Sequence, residues 1–542
     1  MKRIICLMLS VLMLAGLFTG CVGNEQNPNL GQGESLGDYD VVDAHYPIVE
    51  NPITVRVLTV KNTRGLDDSR LVWDEVAKLT NISVEWIEVD SEALGTYLSA
   101  NAKNWEWDFV HMGDTYWQDI WTLDFGIEGG LLVDYRNYLQ YMPNLLKAYE
   151  DYPTAKPMTT ETNGAIYRLP RIEVSATMTQ VRPYIDTAAL AQYNIKVPTT
   201  IDELYDALKT WKQKTGNYGW IPANLQENQY NGPTIYGAFG TATTADWDTD
   251  ANGNVVYNRT SEQYKRYLEF MNKLYKEDLI DQEYLTVDVN YTKAAAKAHT
   301  SFFWGGEAHS MAPSDWTDGQ VHIGCLEPLT SEYDSTKTYQ AQNPVALSTF
   351  FINAKSKYVV EICKMLDIMF AATPIAGTDG LCGQSFIYGR EGKDYVMNSD
   401  KTYDQVTPAD WTGTYTDYQY DVLINTVAGR ADRLDGYVTG TPGNGQTRQI
   451  AFRDSVFPYV VDLEEQFPEA ALKFTADEQD DLAQMYTEIT SYVNEMKAAF
   501  ITGTKDINTD WDAYIQGLYN RGLSDVVEIY QTAYDRWLDL LG

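Results

Sequence analysis

Apolar and polar positions change period several times along this chain. Ile53 to Val60 is a nearly continuous apolar run and predicts a buried strand. After Lys61-Asn62-Thr63-Arg64-Gly65 the apolar residues Leu71, Val72, Val76 and Leu79 fall three or four apart, one face of a helix. A second strand, Ile82 to Val89, follows at once, so the three form a β-α-β unit with a right-handed crossover. Trp107 to Met112 predicts a third strand, ending in Gly113-Asp114-Thr115. Ligands of open α/β sheets sit beyond such strand ends, so the loops at Arg64 and Asp114 are expected to face one site.

Further on, Ile166 to Leu169 leads through Pro170-Arg171 into an extended segment, Ile172 to Val181, suited to crossing into a second lobe. There the helices are punctuated by caps. Thr200 with Glu203, and Thr260 with Gln263, have capping-box spacing. Behind them Leu204, Leu208 and Trp211, and then Tyr264, Tyr267, Leu268, Met271, Leu274 and Tyr275, make helical apolar faces that belong to the core. Strand character returns at Phe350-Phe351-Ile352-Asn353, followed by a helix from Val359 to Phe370, the expected return to the first lobe. The tail is helical, through Leu482 to Phe500 and again through Val526 to Leu541.

The N-terminus adds an address. Lys2 and Arg3 precede an apolar stretch, Ile4 to Leu17, too short for a comfortable membrane span, and the pattern is that of an export signal. It ends in Phe18-Thr19-Gly20-Cys21, which resembles a bacterial lipobox with Phe18 where Leu is usual, and so implies lipid attachment at Cys21. Val22 to about Asp43 is polar and reads as a tether. Removal of Cys6 and lipidation of Cys21 leave Cys325, Cys363 and Cys382, enough for one disulfide at most.

Lys and Arg number 41 against 76 Asp and Glu, a net charge of −35. Nucleic acid is therefore excluded as a partner, because phosphate binding needs a basic face. The 39 tyrosines and 14 tryptophans suit sugar faces, although most must be core.

Four phrases, Val197-Pro198-Thr199-Thr200-Ile201-Asp202-Glu203-Leu204, Leu274-Tyr275-Lys276-Glu277-Asp278-Leu279-Ile280-Asp281, Tyr388-Gly389-Arg390-Glu391-Gly392 and Trp511-Asp512-Ala513-Tyr514, together with the lipobox carry a resemblance. The chain resembles the extracellular solute-binding proteins of the large carbohydrate-binding family, in particular the long lipoproteins of Gram-positive bacteria, with a distant similarity to maltose-binding proteins. The resemblance implies a periplasmic-binding-protein-like α/β fold: two α/β lobes, a multi-strand hinge, and a ligand cleft between them. It implies a monomeric, lipid-anchored receptor on the outer face of the cell membrane that closes on a carbohydrate and presents it to an ABC permease, with no catalytic residue, cofactor or metal. The organisation expected is a signal peptide over 1–20, the lipidated Cys and tether over 21–50, first-lobe segments over 51–173 and 344–400, and second-lobe segments over 174–343 and 401–542.

By the same resemblance Asn224-Leu225-Gln226-Glu227 with Tyr230 matches a carboxylate-and-aromatic loop that contacts sugar, Asp114 a cleft aspartate, and Trp304 a stacking tryptophan. Arg64 stands in the first loop, where a charged residue reaches the ligand; Trp117, Trp220, Trp316 and Trp411, on loop-like stretches, are further aromatic candidates. Carboxylates and Arg bind vicinal hydroxyls while a ring covers the apolar sugar face. A charged sugar stays open through Arg64, Arg171 and Arg182.

Two motifs compete with this picture. Asp248-Thr249-Asp250-Ala251-Asn252-Gly253-Asn254 has the first half of a calcium loop, but Arg259 holds the twelfth place, where such a loop wants Glu, and a hairpin through Asn252-Gly253 explains the same residues. The excess of Asp and Glu also admits a secreted glycoside hydrolase or lyase, since two carboxylates need only the right spacing in space. A third possibility keeps the fold and changes the ligand to a peptide or another small solute.

Overall fold

The computed structural model describes residues 39–61, 70–102, 104–111, 121–173, 183–222, 235–240, 246–287, 289–305, 323–340, 343–399, 401, 403–407, 411, 418, 429–433, 457–461 and 466–542. Strands β1 (Ile53–Val60), β2 (Ile82–Val89) and β3 (Phe109–Val110) form a parallel sheet in the order β2-β1-β3. The crossover between β1 and β2 contains the helix Leu71–Thr80, which turns Val72, Trp73 and Val76 into the core and ends on Asn81 in the left-handed conformation.

The chain passes through β4 (Pro170–Glu173) to β5 (Pro183–Asp186) in the second lobe. There a hairpin, β6 (Trp247–Thr249) and β7 (Val255–Tyr257), is followed by β8 (Phe303–Gly305) and β9 (Ile323–Cys325). β5 lies between β8 and β9, antiparallel to both. β10 (Tyr339–Gln340) precedes β11 (Val345–Leu347), which runs back antiparallel to β4. Beyond it Ile352 bridges Phe109 and Asn353 bridges Leu132, so the returning chain extends the first sheet. The helix Val359–Asp367 then closes that lobe.

A hairpin of β12 (Tyr395–Met397) and β13 (Tyr403–Gln405) leads on to β14 (Gly429–Ala431), parallel to β4 on its free edge. The connection between the lobes is thus a three-stranded sheet, β11-β4-β14. β14 packs under Met369, whose carbonyl would lie 2.4 Å from a Cβ on Gly429, and Tyr395, Tyr403 and Ala431 share one cluster with Ile387 and Tyr388. The second lobe is completed later, by helices Ala476–Thr502, Ile507–Tyr519 and Leu523–Leu541, of which the first two pack on the helix Glu262–Lys276 and the third on β7. A two-residue strand, β15 (Val460–Val461), pairs with β10.

The caps differ in detail from the sequence expectation. Thr200 accepts from the Glu203 amide, but Glu203 reaches back to the Thr199 amide and hydroxyl, at 2.7 Å each. At the next helix the cap is Ser261 and not Thr260, whose hydroxyl bonds the Tyr257 carbonyl instead. A complete reciprocal box stands at Thr475 and Glu478. Cys325, Cys363 and Cys382 are all free thiols.

The segment from Asp248 to Asn254 is a hairpin turn. Asp250 accepts the amides of Asn252 and Asn254 and the Asn254 side chain, and Gly253 takes φ +82°. Arg259 is turned inward onto Asp246 at 2.7 Å. Among the described residues no group of three or more His, Cys, Asp or Glu is placed to hold a metal. Millimolar calcium, or its chelation, is expected to shift the melting temperature by less than about 1 °C, because a ligand stabilises only what it binds. A calcium-dependent rise of several degrees in a thermal scan would show that the turn rearranges into a metal site.

Asp367, 2% exposed, caps the helix Pro143–Asp151 by accepting from the amides of Asn144 and Leu145 and the Asn144 side chain. Burial raises its carboxyl to about 7, against the pull of these three donors. A carboxyl raised by folding stabilises fully below its unfolded value near 4 and loses that contribution as pH rises towards 7. Asp367→Asn removes this titration. The melting-temperature gap between variant and wild type is therefore expected to change by about 2–5 °C between pH 4 and 7 and to stay level above it; a constant gap in scans across that range would mean the carboxyl does not titrate there.

Candidate functional site

Strand register sets the level of the strand ends that border the expected binding segments. Leu58 pairs with Val110 in parallel, so β1 and β3 end at one level, and residues 62–69 and 112–120 both leave the first sheet there. In the second lobe Pro183, at the start of β5, lies opposite Gly305, at the end of β8. Trp220 bridges Phe303 in parallel, so the chain going on to 223–234 leaves in the direction of β8. Pro183 and Gly305 thus share one end of the second sheet, while Ile323, which opens β9, lies opposite Asp186 at the other end.

Of the candidates, Arg64, Asp114, Glu227, Tyr230 and Trp316 lie outside the described residues, as do Trp117, Arg182 and the lipidation candidate Cys21. Trp220 and Trp304 are described, and both rings are packed in the interior of the second lobe. They are 1% and 0% exposed. Trp304 stacks on Tyr184 with centroids 6.0 Å apart, and Trp220 leans on Phe303 at 5.7 Å. Both belong to strands or bridges of the second sheet, whose inner face needs large apolar side chains, and a ring used there has no free face.

The floor beneath the 112–120 segment is aromatic. His111 follows β3, 5% exposed, with ring contacts to Trp73, Trp86 and Phe350 at 5.6, 5.3 and 4.9 Å. Desolvation, with Arg70 nearby, lowers its pKa to about 3, so the imidazole is neutral and part of the packing. Arg70 covers Trp86 at 3.8 Å and pairs with Glu88 at 2.5 Å. This fixes the loop ends by charge and by ring contact.

At the end of β4 the wall is polar. Glu173 accepts from Tyr388 Oη at 2.8 Å and pairs with Arg171. Neither Glu173 nor Tyr388 was singled out as a site residue from the sequence; the signal was the last strand residue before a crossing. With Arg171 neutralised by Glu173, this wall offers hydrogen bonds without a net positive charge.

Comparison with known proteins agrees with this architecture. Residues 470–539, most of the three C-terminal helices, match a family model described as a domain of unknown function, DUF3502. The chain is 22% identical over 525 residues to the fructooligosaccharide ABC transporter substrate-binding protein FusA of Streptococcus pneumoniae serotype 4 (strain ATCC BAA-334 / TIGR4), covering 93% of this chain and 94% of that one. Lipoprotein LipO of Bacillus subtilis (strain 168) is 25% identical over 175 residues, 29% of this chain and 30% of its own. Among solved structures, an HMO-binding, ABC-transporter-associated solute-binding protein from Bifidobacterium longum infantis ATCC 15697 superposes with a TM-score of 0.69 at 20% identity, over 90% of this chain and 99% of that one. FusA in complex with kestose does so with a TM-score of 0.67 at 20% identity, over 90% and 100%. The chain is thus similar in sequence to FusA over 93% of its length and shares the fold of these solute-binding proteins over 90% of it.

Proposed function

We propose that the protein is the extracellular receptor of an ABC importer and binds an oligosaccharide by closing its two lobes. The observation that carries this reading is the arrangement of two sheet-built lobes on either side of a three-stranded connection, β11-β4-β14. Contacts completed only on closure shift the population towards the closed form. Arg64 and Asp114 from the first lobe, and Glu227, Tyr230 and Trp316 from the second, are the residues proposed to reach the sugar. Cys21 is proposed to carry the lipid that keeps the monomeric receptor beside its permease.

The polar wall at Glu173 favours a neutral sugar over a uronide, because Arg171 is already paired. The fructooligosaccharide name of the relative that spans nearly the whole chain makes short fructans the first ligands to try. A thermal-shift screen of the chain without residues 1–21 against fructans, other neutral oligosaccharides, uronides and peptides tests the reading. At about a hundredfold excess over Kd a ligand adds about 2.7 kcal/mol, a rise of roughly 3–5 °C for a chain of this length, with the sugar recovered intact. Stabilisation by peptides alone, or release of shortened sugar, would overturn it.

A further inference from the structure

A second crevice lies between the lobes, walled on one side by residues that precede β4 and on the other by the C-terminal helix. Its volume is about 730 Å³. One wall is Arg136 with the helix Ala155–Thr159 and the turn after it; the other is Lys473 with the end of the C-terminal helix, from Ala533 onward. Among the described residues, neither Glu173 nor Tyr388 of the polar wall lines it.

Its charge differs from that of the chain. Four cations, Arg136, Lys156, Lys473 and Arg536, stand against two carboxylates, Glu161 and the solvent-exposed Asp539, in a protein with a net charge of −35. Three of the four cations have partners. Arg136 is bidentate to Asp134, Lys473 lies 3.7 Å from Glu161, and Arg536 is held by Glu478 at 2.5 Å. Lys156 is the exception: among the described residues no carboxylate lies within ion-pair distance of its half-buried amine. Arg536 Nε is buried in the same wall and also lacks an acceptor among them. Burial and the neighbouring Arg136 both lower the Lys156 pKa, the mark of a cation short of counter-charge.

An uncompensated cation beside an orphaned guanidinium donor, in a cavity of this size, is costly unless an anion visits it. Thr162 adds a hydroxyl to the wall, that of Thr160 being committed to the Lys156 carbonyl at 2.7 Å, and Trp537 gives it an apolar plane. We propose that this crevice is a second binding site, for a small oxyanion, either free or carried on a compact organic body, with Lys156 as its principal ligand. The rest of the arrangement sets the class: a hydroxyl donor and a lysine suit a phosphate or carboxylate group, and the Trp537 plane suits an organic remainder up to about the size of a sugar ring. This site is independent of what the main cleft binds.

Calorimetric titration of the soluble chain with inorganic phosphate and with a sugar phosphate, against sodium chloride of equal ionic strength, tests it. Saturable binding of phosphate is expected, weakened about tenfold or more by Lys156→Gln and restored in part by Lys156→Arg. Tighter binding of the ester would assign an organic anion, and equal binding the free ion. Lysine acetylation of the unmodified protein, followed by mass spectrometry, gives a reading that needs no variant: phosphate should slow reaction at Lys156 about fivefold or more while leaving the exposed Lys505 unchanged. Heats that match chloride, or equal protection of both lysines, would overturn the proposal.

Discussion

Replacing Trp247 by alanine is expected to cost about 4 kcal/mol. Trp247 is 0% exposed and stacks on Tyr530 with centroids 3.9 Å apart, with Tyr257 at 4.9 Å and Tyr486 at 6.1 Å. Those partners come from the hairpin and from two of the three C-terminal helices, so one ring joins three elements far apart in sequence. The polar ring around it has the same reach: Tyr486 donates to Asp246 at 2.8 Å, Arg259 donates to the other Asp246 oxygen, and Val255 donates its amide to Gln531. Alanine leaves a void that these rigid neighbours cannot fill, and the helix Leu523–Leu541 loses its seat. Urea unfolding should show the loss, and limited proteolysis should cut the variant first within residues 470–542. A loss below about 1 kcal/mol, or unchanged proteolysis, would mean that the C-terminal helices dock through other contacts.

This joint also explains why the fold was more legible than the site. The strand at 53–60, the helix behind it, the second strand and the return at 350–353 are strongly apolar with a clean period, and each forms where the pattern places it. The recurring phrases turn out to serve structure. Arg390 binds Asp394 at 2.8 Å and reaches Glu75, Glu391 pairs with Arg433, and Trp511 packs on Tyr264, Phe500 and Tyr514. Phrases that hold a fold together identify the fold and say little about its ligand.

The tryptophans were ambiguous for the same reason. A large ring on a short strand suits a stacking platform and a sheet core equally well in sequence, and for Trp304 only the neighbour across the strand, Tyr184, decides. β14 was missed because three residues opened by a glycine carry no period, and its pairing with β4 comes from a contact more than 250 residues away. The lone Lys156 was equally invisible, since what marks it is the absence of a partner in space.

Removing the proposed cleft carboxylates should separate binding from stability. Asp114→Ala and Glu227→Ala are each expected to weaken sugar binding by about 10–100-fold, the effect of losing a charged hydrogen-bond acceptor, while shifting the melting temperature of the free protein by no more than about 2 °C. Trp304→Ala is expected to behave in the opposite way. Its ring fills the second sheet against Tyr184, so the variant should lose about 3–5 kcal/mol, and any loss of affinity should follow from unfolding. Calorimetry with the best ligand of the screen, alongside thermal scans of each free variant, measures both quantities at once. If Trp304→Ala left stability intact and abolished binding, its ring would be a ligand platform exposed on opening. If instead both carboxylate variants bound sugar as the wild type does, the ligand would have to be held by other residues of the two lobes.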